Sequence, residues 1–186
     1  MIHEKKDRRF RRTQKQLINA LIELLKSKNI NQISVREISE LADINRATFY
    51  LHYKTVNDLL FHLENEVFDE IISSYKDHDI LNQCDFLLNL YRCVIQYNEL
   101  LVVLLNSNTG STLWDKLSHS IKTQYNLLWS SHLKYLSTRE LEYYSAFIID
   151  GYISTIKVWL LNGMKESPEE MVELSRRFQY KILPKT

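Results

Sequence analysis

The sequence predicts an all-α protein, in which an N-terminal three-helix domain is followed by a larger helical bundle. Only three Gly and two Pro occur in 186 residues, which is few for a β-rich chain and favours long helices. Apolar residues recur at helical spacing along most of the chain, and no segment shows the convincing alternation of a strand. The 45% hydrophobic and 25% charged content is typical of a globular protein.

Helical periodicity and polar breaks predict the order of the elements. Residues 1–8 predict a loose basic arm, and two polar segments predict loops at 76–83 and 106–112. The expected helices cover 9–28, 35–42, 46–52, 56–75, 84–105 with a bend near Asn98, 114–136, 137–162 and a last segment beginning at Pro168. The helix over 137–162 is apolar on more than one face, so it must be covered on more than one side.

Capping residues indicate where the short helices of the N-terminal third begin. Ser34 and Glu37 form a Ser-x-x-Glu capping box, in which the serine oxygen accepts from a free amide and the glutamate bonds back. Asn45 can cap the helix that follows the polar link at 43–45. The sequence therefore predicts two short helices joined by a tight link, which is typical of a helix-turn-helix.

The second of these helices lies in RATFYLHYKT, residues 46–55. Phe49 and Tyr50 are adjacent and therefore face different sides of the helix, so we expect Phe49 to pack and Tyr50 to remain exposed. A tyrosine hydroxyl can donate to a phosphate, while basic and small polar groups at the helix start can contact base edges. The segment therefore predicts binding to the major groove of DNA.

The distribution of charge supports a polyanionic partner. Residues 1–54 contain 12 Lys or Arg and 6 Asp or Glu, whereas the rest of the chain contains 12 and 17, although the net charge is only +1. A basic first third on an acidic body favours nucleic acid at that end. The alternative is a basic tail without a function.

Residues 33–60, ISVREISELADINRATFYLHYKTVNDLL, resemble the DNA-binding signature of the TetR family of transcriptional regulators. The similarity extends over about residues 13–60 and rests on the order, the spacing and the Thr-Phe-Tyr-x-His-aromatic core of the motif. Residues 151–174 resemble, less closely, one C-terminal subgroup of the family.

The resemblance implies an all-helical homodimer with two domains. Residues 1–54 would form the DNA-binding helix-turn-helix domain with its basic arm, and residues 55–186 the helical effector-binding and dimerisation domain. It also implies a repressor that a small-molecule effector releases from a palindromic operator on double-stranded DNA. A regulator of the same fold that acts through a protein partner, with no small-molecule effector, is the alternative.

The same resemblance assigns expected roles to residues of the motif. Thr13 and Ser34 would contact phosphates at helix starts, and Arg36 would lie at the edge of the groove. The residues expected to face bases are Asn45, Arg46, Ala47 and Thr48. Those expected to bind backbone phosphates are Tyr50, His52 and Lys54. The family usually has Gly where Asp43 stands and often has Lys where Val56 stands, and both departures are expected to weaken the contact with DNA.

The C-terminal half contains many aromatic residues, which either fill a core or line a pocket for a mostly apolar effector. The candidate pocket residues are Tyr91, Tyr125, Trp129 and Tyr152. A Gly inside a long helix costs about 1 kcal/mol against Ala, so Gly151 indicates close approach of another helix, from a second copy or from the same chain. The candidate dimer interface contains Ile148, Gly151, Thr155, Trp159, Met171, Leu174 and Phe178.

Several classes of protein are not indicated by the sequence. It contains no Gly-rich phosphate loop, GxSxG or HExxH motif, and the spacing of Cys84 and Cys93 fits no zinc or redox site. We therefore expect no enzyme, no cofactor and no metal. The charged N-terminus lacks the apolar region of a secretory signal, and no run of about 18 apolar residues occurs, so a cytoplasmic protein without a membrane span is expected.

Overall fold

The computed structural model describes residues 2–76, 83–106 and 111–182. Within these ranges the chain is helical and contains no strand, so the all-α prediction is confirmed. The α-helices are α1 Ile2–Leu25, α2 Val35–Leu41, α3 Arg46–His52, α4 Val56–Lys76, α5 Gln83–Gln96, α6 Asn98–Asn106, α7 Ser111–His132, α8 Thr138–Leu161 and α9 Pro168–Ile182, with a 3₁₀ turn at Ile30–Gln32.

The chain forms two compact units, residues 1–66 and residues 67–186. In the first unit, α1 packs on α2 and α2 packs on α3. The core of this unit is made by side chains with no exposed surface, which are Leu17, Leu21, Ile38, Phe49 and Leu59. The predicted bounds of α2 and α3 are confirmed to within one residue, because Ser34 and Asn45 cap them as expected.

The first helix is longer at its N-terminus than the sequence predicts. It begins at Ile2 rather than at residue 9, so the prediction of a loose arm is wrong for residues 2–8. The segment contains no Gly or Pro and is rich in Glu, Lys and Arg, which have high helix propensity. Once the apolar residues from Leu17 onward have formed a helix, its extension through such residues adds one hydrogen bond per residue fixed.

In the second unit, α7 packs on α8, α5 on α9 and α6 on α8. Tyr91 on α5 is fully buried, and its hydroxyl lies 2.7 Å from the hydroxyl of the buried Ser175 on α9. The ring of Tyr91 also meets the ring of Trp159 edge to face, with 5.3 Å between the centroids. These contacts tie three helices of the unit together.

The predicted bend near Asn98 occurs as a break at Tyr97 between α5 and α6. The side-chain amide of Asn98 donates to the Ile95 carbonyl at 2.6 Å. A short amide side chain that bonds to nearby backbone competes with the helix at this point. The Tyr97 hydroxyl donates to Glu70 at 2.6 Å and fixes the broken segment against α4.

The bounds of the last two helices agree with their sequence signals. Ser137 and Glu140 form a capping box at the start of α8, and Pro168 is the first residue of α9. Gly163 follows α8 with a φ of +80°, which glycine adopts without strain. The loops predicted at 76–83 and 106–112 lie mostly outside the described residues. Among the helices that are described, none is long and apolar enough to cross a bilayer.

Candidate nucleic-acid interface

The start of α2 is fixed by a closed set of hydrogen bonds. The Ser34 amide and hydroxyl both donate to one oxygen of Glu37, at 2.9 Å and 2.7 Å, and the Glu37 amide donates to the Ser34 hydroxyl at 3.3 Å. Lys28 donates to the other oxygen of Glu37. The bonds from Lys28 and Ser34 lower the pKa of Glu37 from its usual 4.5 to about 2. Ser34 therefore lies at a helix start as predicted, with its hydroxyl committed to Glu37.

The turn between α2 and α3 passes through a left-handed residue. Asp43 is exposed and has a φ of +53°. The amides of Asp43 and Ile44 return to α2 and donate to the carbonyls of Glu40 at 3.3 Å and Ser39 at 3.0 Å. Asn45 then accepts from the Ala47 amide at 2.8 Å and starts α3. The conformation explains why glycine would suit position 43, since an L side chain is strained there.

The helix α3 presents a polar face next to a buried one. Phe49 is fully buried and Tyr50 is 59% exposed, as the sequence predicts for this adjacent pair. The predicted base-facing residues Asn45, Arg46 and Ala47 are exposed, and Thr48 is half-buried.

Leu51 is absent from the contact residues that the sequence predicts, although it is the most exposed large apolar residue of the described chain, at 79%. It lies one turn after Ala47 on the same face of α3. The position of Leu51 between Tyr50 and His52, two residues expected to contact DNA, could have identified it as a further candidate contact.

The C-terminal end of α3 lies against α1. The His52 ring stacks on the ring of Phe10, with 4.0 Å between centroids and 22° between planes. Burial lowers the pKa of His52, and its Nδ1 atom is buried without a hydrogen bond to any described residue. Lys54 is exposed, and its amide donates to Asp58 at 3.1 Å. Burial thus disfavours the charged form of His52, whose ring contacts an aromatic ring.

The two remaining expected contacts have different surroundings. Thr13 is half-buried and lies eleven residues inside α1, not at its start. Arg36 is exposed on α2 and donates to Glu40 at 2.7 Å, and this bond and the Glu40 charge raise the pKa of the guanidinium. Both belong to the same unit as α3.

The structure places the candidate pocket residues in aromatic contacts of the second unit. Tyr152 is half-buried, and burial together with the charges of Tyr91 and Tyr144 raises its pKa to about 12. Trp129 meets Tyr144 edge to face at 4.9 Å. Tyr91 fills space between α5 and α9, and the side chain of Tyr125 lies outside the described residues.

A groove of about 500 Å³ lies between α7 and α8, and none of the candidate pocket residues lines it. Asp150 accepts from Ser118 and Lys122 there, both at 2.7 Å, and Lys157 lies 5.2 Å from the centroid of the Trp114 ring. Partial burial raises the pKa of Asp150, but the bonds from Lys122 and Ser118 outweigh it and the pKa is lowered. Within this lining, Asp150 and Lys122 therefore already pair with each other.

The candidate dimer residues divide between the inside and the outside of their unit. Ile148, Trp159 and Met171 are buried, at 8%, 2% and 2% exposure. Gly151 and Phe178 are exposed, and a Cβ added at Gly151 would meet nothing within 4 Å. Thr155 and Leu174 are half-buried. No described part of its own chain therefore requires a glycine at 151.

Comparison with known proteins assigns both halves of the chain to regulators. Residues 17–63 match the family described as "Bacterial regulatory proteins, tetR family", and residues 82–180 match "Transcriptional regulator C-terminal region". No curated protein sequence matches the chain significantly.

Solved structures of similar fold cover nearly the whole chain. A TetR transcriptional regulator from Streptococcus agalactiae 2603V is 20% identical, with a TM-score of 0.62 over 95% of this chain and 98% of that one. The dihydroxyacetone kinase operon activator DhaS is 20% identical, with a TM-score of 0.61 over 93% and 98%. The fatty acid degradation regulator FadR from Bacillus halodurans is 16% identical, with a TM-score of 0.62 over 89% and 93%. At these identities the likeness shows the fold.

Proposed function

Since the chain belongs to the TetR family of bacterial regulatory proteins, a family of DNA-binding regulators and not of enzymes, we propose that it is a homodimeric repressor. Each protomer places α3 in the major groove of one half of a palindromic operator, with α2 and α3 as the helix-turn-helix. A small-molecule effector bound by the C-terminal domain releases it. We propose residues 1–54 as the DNA-binding domain and residues 55–186 as the domain that senses the effector and dimerises; the compact unit that contains the helix-turn-helix continues to residue 66.

The observation that carries this proposal is the exposed face of α3, which includes Arg46 and Tyr50. Arg46 is exposed in the first turn of α3, and a guanidinium can bind O6 and N7 of a guanine in the major groove. Ala47 is exposed and small, which lets the helix start approach base edges closely. Tyr50, 59% exposed, can donate its hydroxyl to a backbone phosphate. Direct readout by Arg46 with positioning by Tyr50 is the division of roles that we propose.

A row of exposed apolar residues on α8 supports the homodimer. Tyr143, Phe147, Val158 and Leu161 are 64%, 59%, 55% and 58% exposed, and they share one helix face with Gly151. The row extends about 27 Å at 1.5 Å per residue. We propose that this row pairs with its copy across a two-fold axis, so that Gly151 admits the partner's helix. Phe178 on α9, 47% exposed, can extend the same contact.

An effector acts by preferring one spacing of the two α3 helices. Two such helices read successive major grooves when they lie about 34–36 Å apart. An effector that binds a dimer of different spacing more tightly lowers DNA affinity by that difference in binding free energy and no more. The aromatic cluster around Tyr152 and Trp129 is the place that we propose for a mostly apolar effector.

The burial of Tyr91 favours the alternative in which a protein partner replaces the small molecule. Its ring occupies the space between α5 and α9, and its hydroxyl bonds to Ser175, so this part of the unit is filled by its own side chains. One protein of similar fold is named an operon activator. In this alternative, the protein would activate transcription and not repress it.

Titration against DNA tests the proposal directly. The purified protein is bound to fluorescent duplexes carrying a palindrome selected from random sequence and, separately, to a scrambled duplex, at about 50 and 200 mM salt. Tight, salt-sensitive binding of one dimer per palindrome is the expected result. Equal affinity for the scrambled duplex would contradict operator reading by α3. Specific binding that responds to a co-purified protein but to no small molecule would favour the alternative.

A further inference from the structure

The groove of about 500 Å³ between α7 and α8 combines apolar and polar surface. Trp114 on α7 and Ile153 on α8 line it and are almost completely buried, at 5% and 8% exposure. The other lining residues carry hydroxyl, imidazole, ammonium or carboxylate groups. Sites for small molecules have volumes of about 300–1,000 Å³ and combine apolar surface with a few polar groups. The size and the lining of this groove therefore suit a small ligand.

The two lysines of the groove differ in their partners. Lys122 pairs with Asp150 at 2.7 Å, and the Ser118 hydroxyl donates to the same carboxylate. Lys157 is half-buried, its ammonium lies 5.2 Å from the centroid of the Trp114 ring, and it forms no ion pair with a described carboxylate. Burial removes part of the hydration of an ammonium group, so a nearby negative charge stabilises it. Lys157 therefore offers a positive charge that an anionic ligand can neutralise.

The indole of Trp114 carries a hydrogen-bond donor that no described residue uses. Its Nε1 atom is buried and has no acceptor among the described residues. Buried polar groups are nearly always hydrogen-bonded, because an unpaired donor loses its bonds to water without replacement. The Trp114 ring and the Lys157 ammonium are neighbours. One anionic group that enters the groove beside the ring can therefore accept from both donors.

The edge of the groove on α7 differs from the edge on α8. Asp115 and His119 are exposed on the α7 edge, and water screens the charge of an exposed carboxylate more than that of a half-buried ammonium such as Lys157. Ser154 on the α8 edge lies one turn before Val158, on the side of the exposed apolar row. A ligand can therefore enter from the α7 edge when the row is covered.

We propose that the groove between α7 and α8 binds a small organic anion with an apolar part. The Lys157 ammonium and the Trp114 indole N–H hold its carboxylate or phosphate oxygens, while Ile153 and the Trp114 ring cover its apolar part. This site is separate from the aromatic cluster around Tyr152 and Trp129. It requires neither DNA nor the proposed pairing of α8.

Calorimetric titration of the whole chain, without DNA, tests the charge class of the ligand. The probes are benzoate, phenyl phosphate, neutral benzamide and cationic benzamidinium, which share a benzene ring and differ in its substituent. The better of the two anions should bind with a Kd of about 1 mM, as is usual for ligands of about ten heavy atoms. Benzamide and benzamidinium should bind at least about tenfold more weakly, because charge-assisted hydrogen bonds are about twice as strong as neutral ones.

The preferred anion distinguishes the two sources of anionic oxygens. Tighter binding of phenyl phosphate would assign a phosphate ester to the site, and tighter binding of benzoate a carboxylate. Equal binding of all four probes, or no saturable binding of either anion, would overturn the proposal. Failure to bind any palindromic DNA would overturn the proposed function but not this site.

Two charge changes in the groove should have opposite effects on the affinity for the preferred anion. K157Q should weaken binding by about tenfold, whereas K165Q, which removes an exposed charge outside the groove, should leave it unchanged. D115N removes a negative charge from the α7 edge and should strengthen binding, a gain that misfolding cannot produce. Circular dichroism checks that each variant keeps the helical content of the wild type. Wild-type affinity in K157Q, or weaker binding in D115N, would overturn the proposal.

The indole N–H signals of the three tryptophans locate the bound anion by NMR. W114F identifies the Trp114 signal by its absence. Titration of the wild type with the preferred anion should move the Trp114 signal downfield, as expected when its N–H gains an acceptor, with the Kd that calorimetry gives. The signals of Trp129 and Trp159 should stay in place. Movement of the Trp129 signal alone would place the anion in the aromatic cluster and overturn the proposal.

Discussion

Replacing Asp43 by glycine should stabilise the turn between α2 and α3. Asp43 has a φ of +53°, and a Cβ in the left-handed region costs roughly 1–2 kcal/mol, with Asp near the lower end. Glycine removes this strain but adds freedom to the unfolded chain, which costs about 0.5–1 kcal/mol. The expected net gain is at most about 0.5 kcal/mol, which corresponds to an unfolding midpoint higher by no more than roughly 1–2 °C for a chain of this length.

The same substitution removes a negative charge close to the proposed DNA contact. D43N keeps a side chain that tolerates the left-handed region but carries no charge. We therefore expect D43G and D43N to bind an operator more tightly than wild type at low salt, with the difference shrinking as salt screens the charge. Only D43G should also gain thermal stability.

Two further variants separate the effect of backbone strain from the effect of charge. D43A has neither the freedom of glycine nor a polar side chain, so it should be less stable than wild type. Met164 in the second unit also has a positive φ, of +50°, so M164G should gain stability to a similar degree without any change in DNA affinity. Unfolding by heat and urea, with anisotropy titrations, measures all of these. Equal stability of D43A and D43G would refute the assignment of strain to this residue.

The remaining predictions concern one residue each. Arg46→Ala should weaken operator binding by about 1–3 kcal/mol and relax preference at one base pair in a binding-site selection; uniform weakening on all sequences would make Arg46 a phosphate contact. Tyr91→Phe should lower the free energy of unfolding by about 1–3 kcal/mol, measured in urea, because it leaves the buried Ser175 hydroxyl without its partner. The pKa of Glu37 is about 2 in the folded state, against the usual 4.5, so the stability that its carboxylate contributes is present above pH 4.5 and is lost as the pH falls toward 2. In Glu37→Gln, the free energy of unfolding should therefore vary less with pH over that window than in the wild type. An unchanged pH dependence would contradict the role of the Glu37 bonds.

The sequence was most informative where structure is decided by a few neighbouring residues. The capping box at Ser34 and the helix cap at Asn45 each depend on groups that lie within three residues of each other in the sequence. They therefore located α2, α3 and the turn between them. The exposure of Tyr50 beside the buried Phe49 followed from helix geometry alone. The family resemblance was carried by these same residues.

Features that depend on distant parts of the chain could not be predicted in this way. The pairing of Phe10 with His52 joins residues 42 positions apart, and a charged segment gives no periodic signal that it continues α1. Apolar residues occur on every side of α8. The sequence therefore could not distinguish the residues that their own unit buries, such as Trp159, from those that it leaves exposed, such as Phe147. The apolar residues on every side of this helix predicted that it would be covered, but they did not predict which helix, of the same chain or of a second copy, would cover each side.

The proposed pairing of the exposed row on α8 would link the stability of the fold to the amount of protein present. A protomer that leaves Tyr143, Phe147, Val158 and Leu161 in water gains free energy whenever a second copy covers them, so mass action enters its folding equilibrium. The unfolding midpoint should then rise with protein concentration, and F147D should remove that dependence. The abundance of the chain would itself set the fraction of protomers that are assembled and able to occupy both halves of an operator.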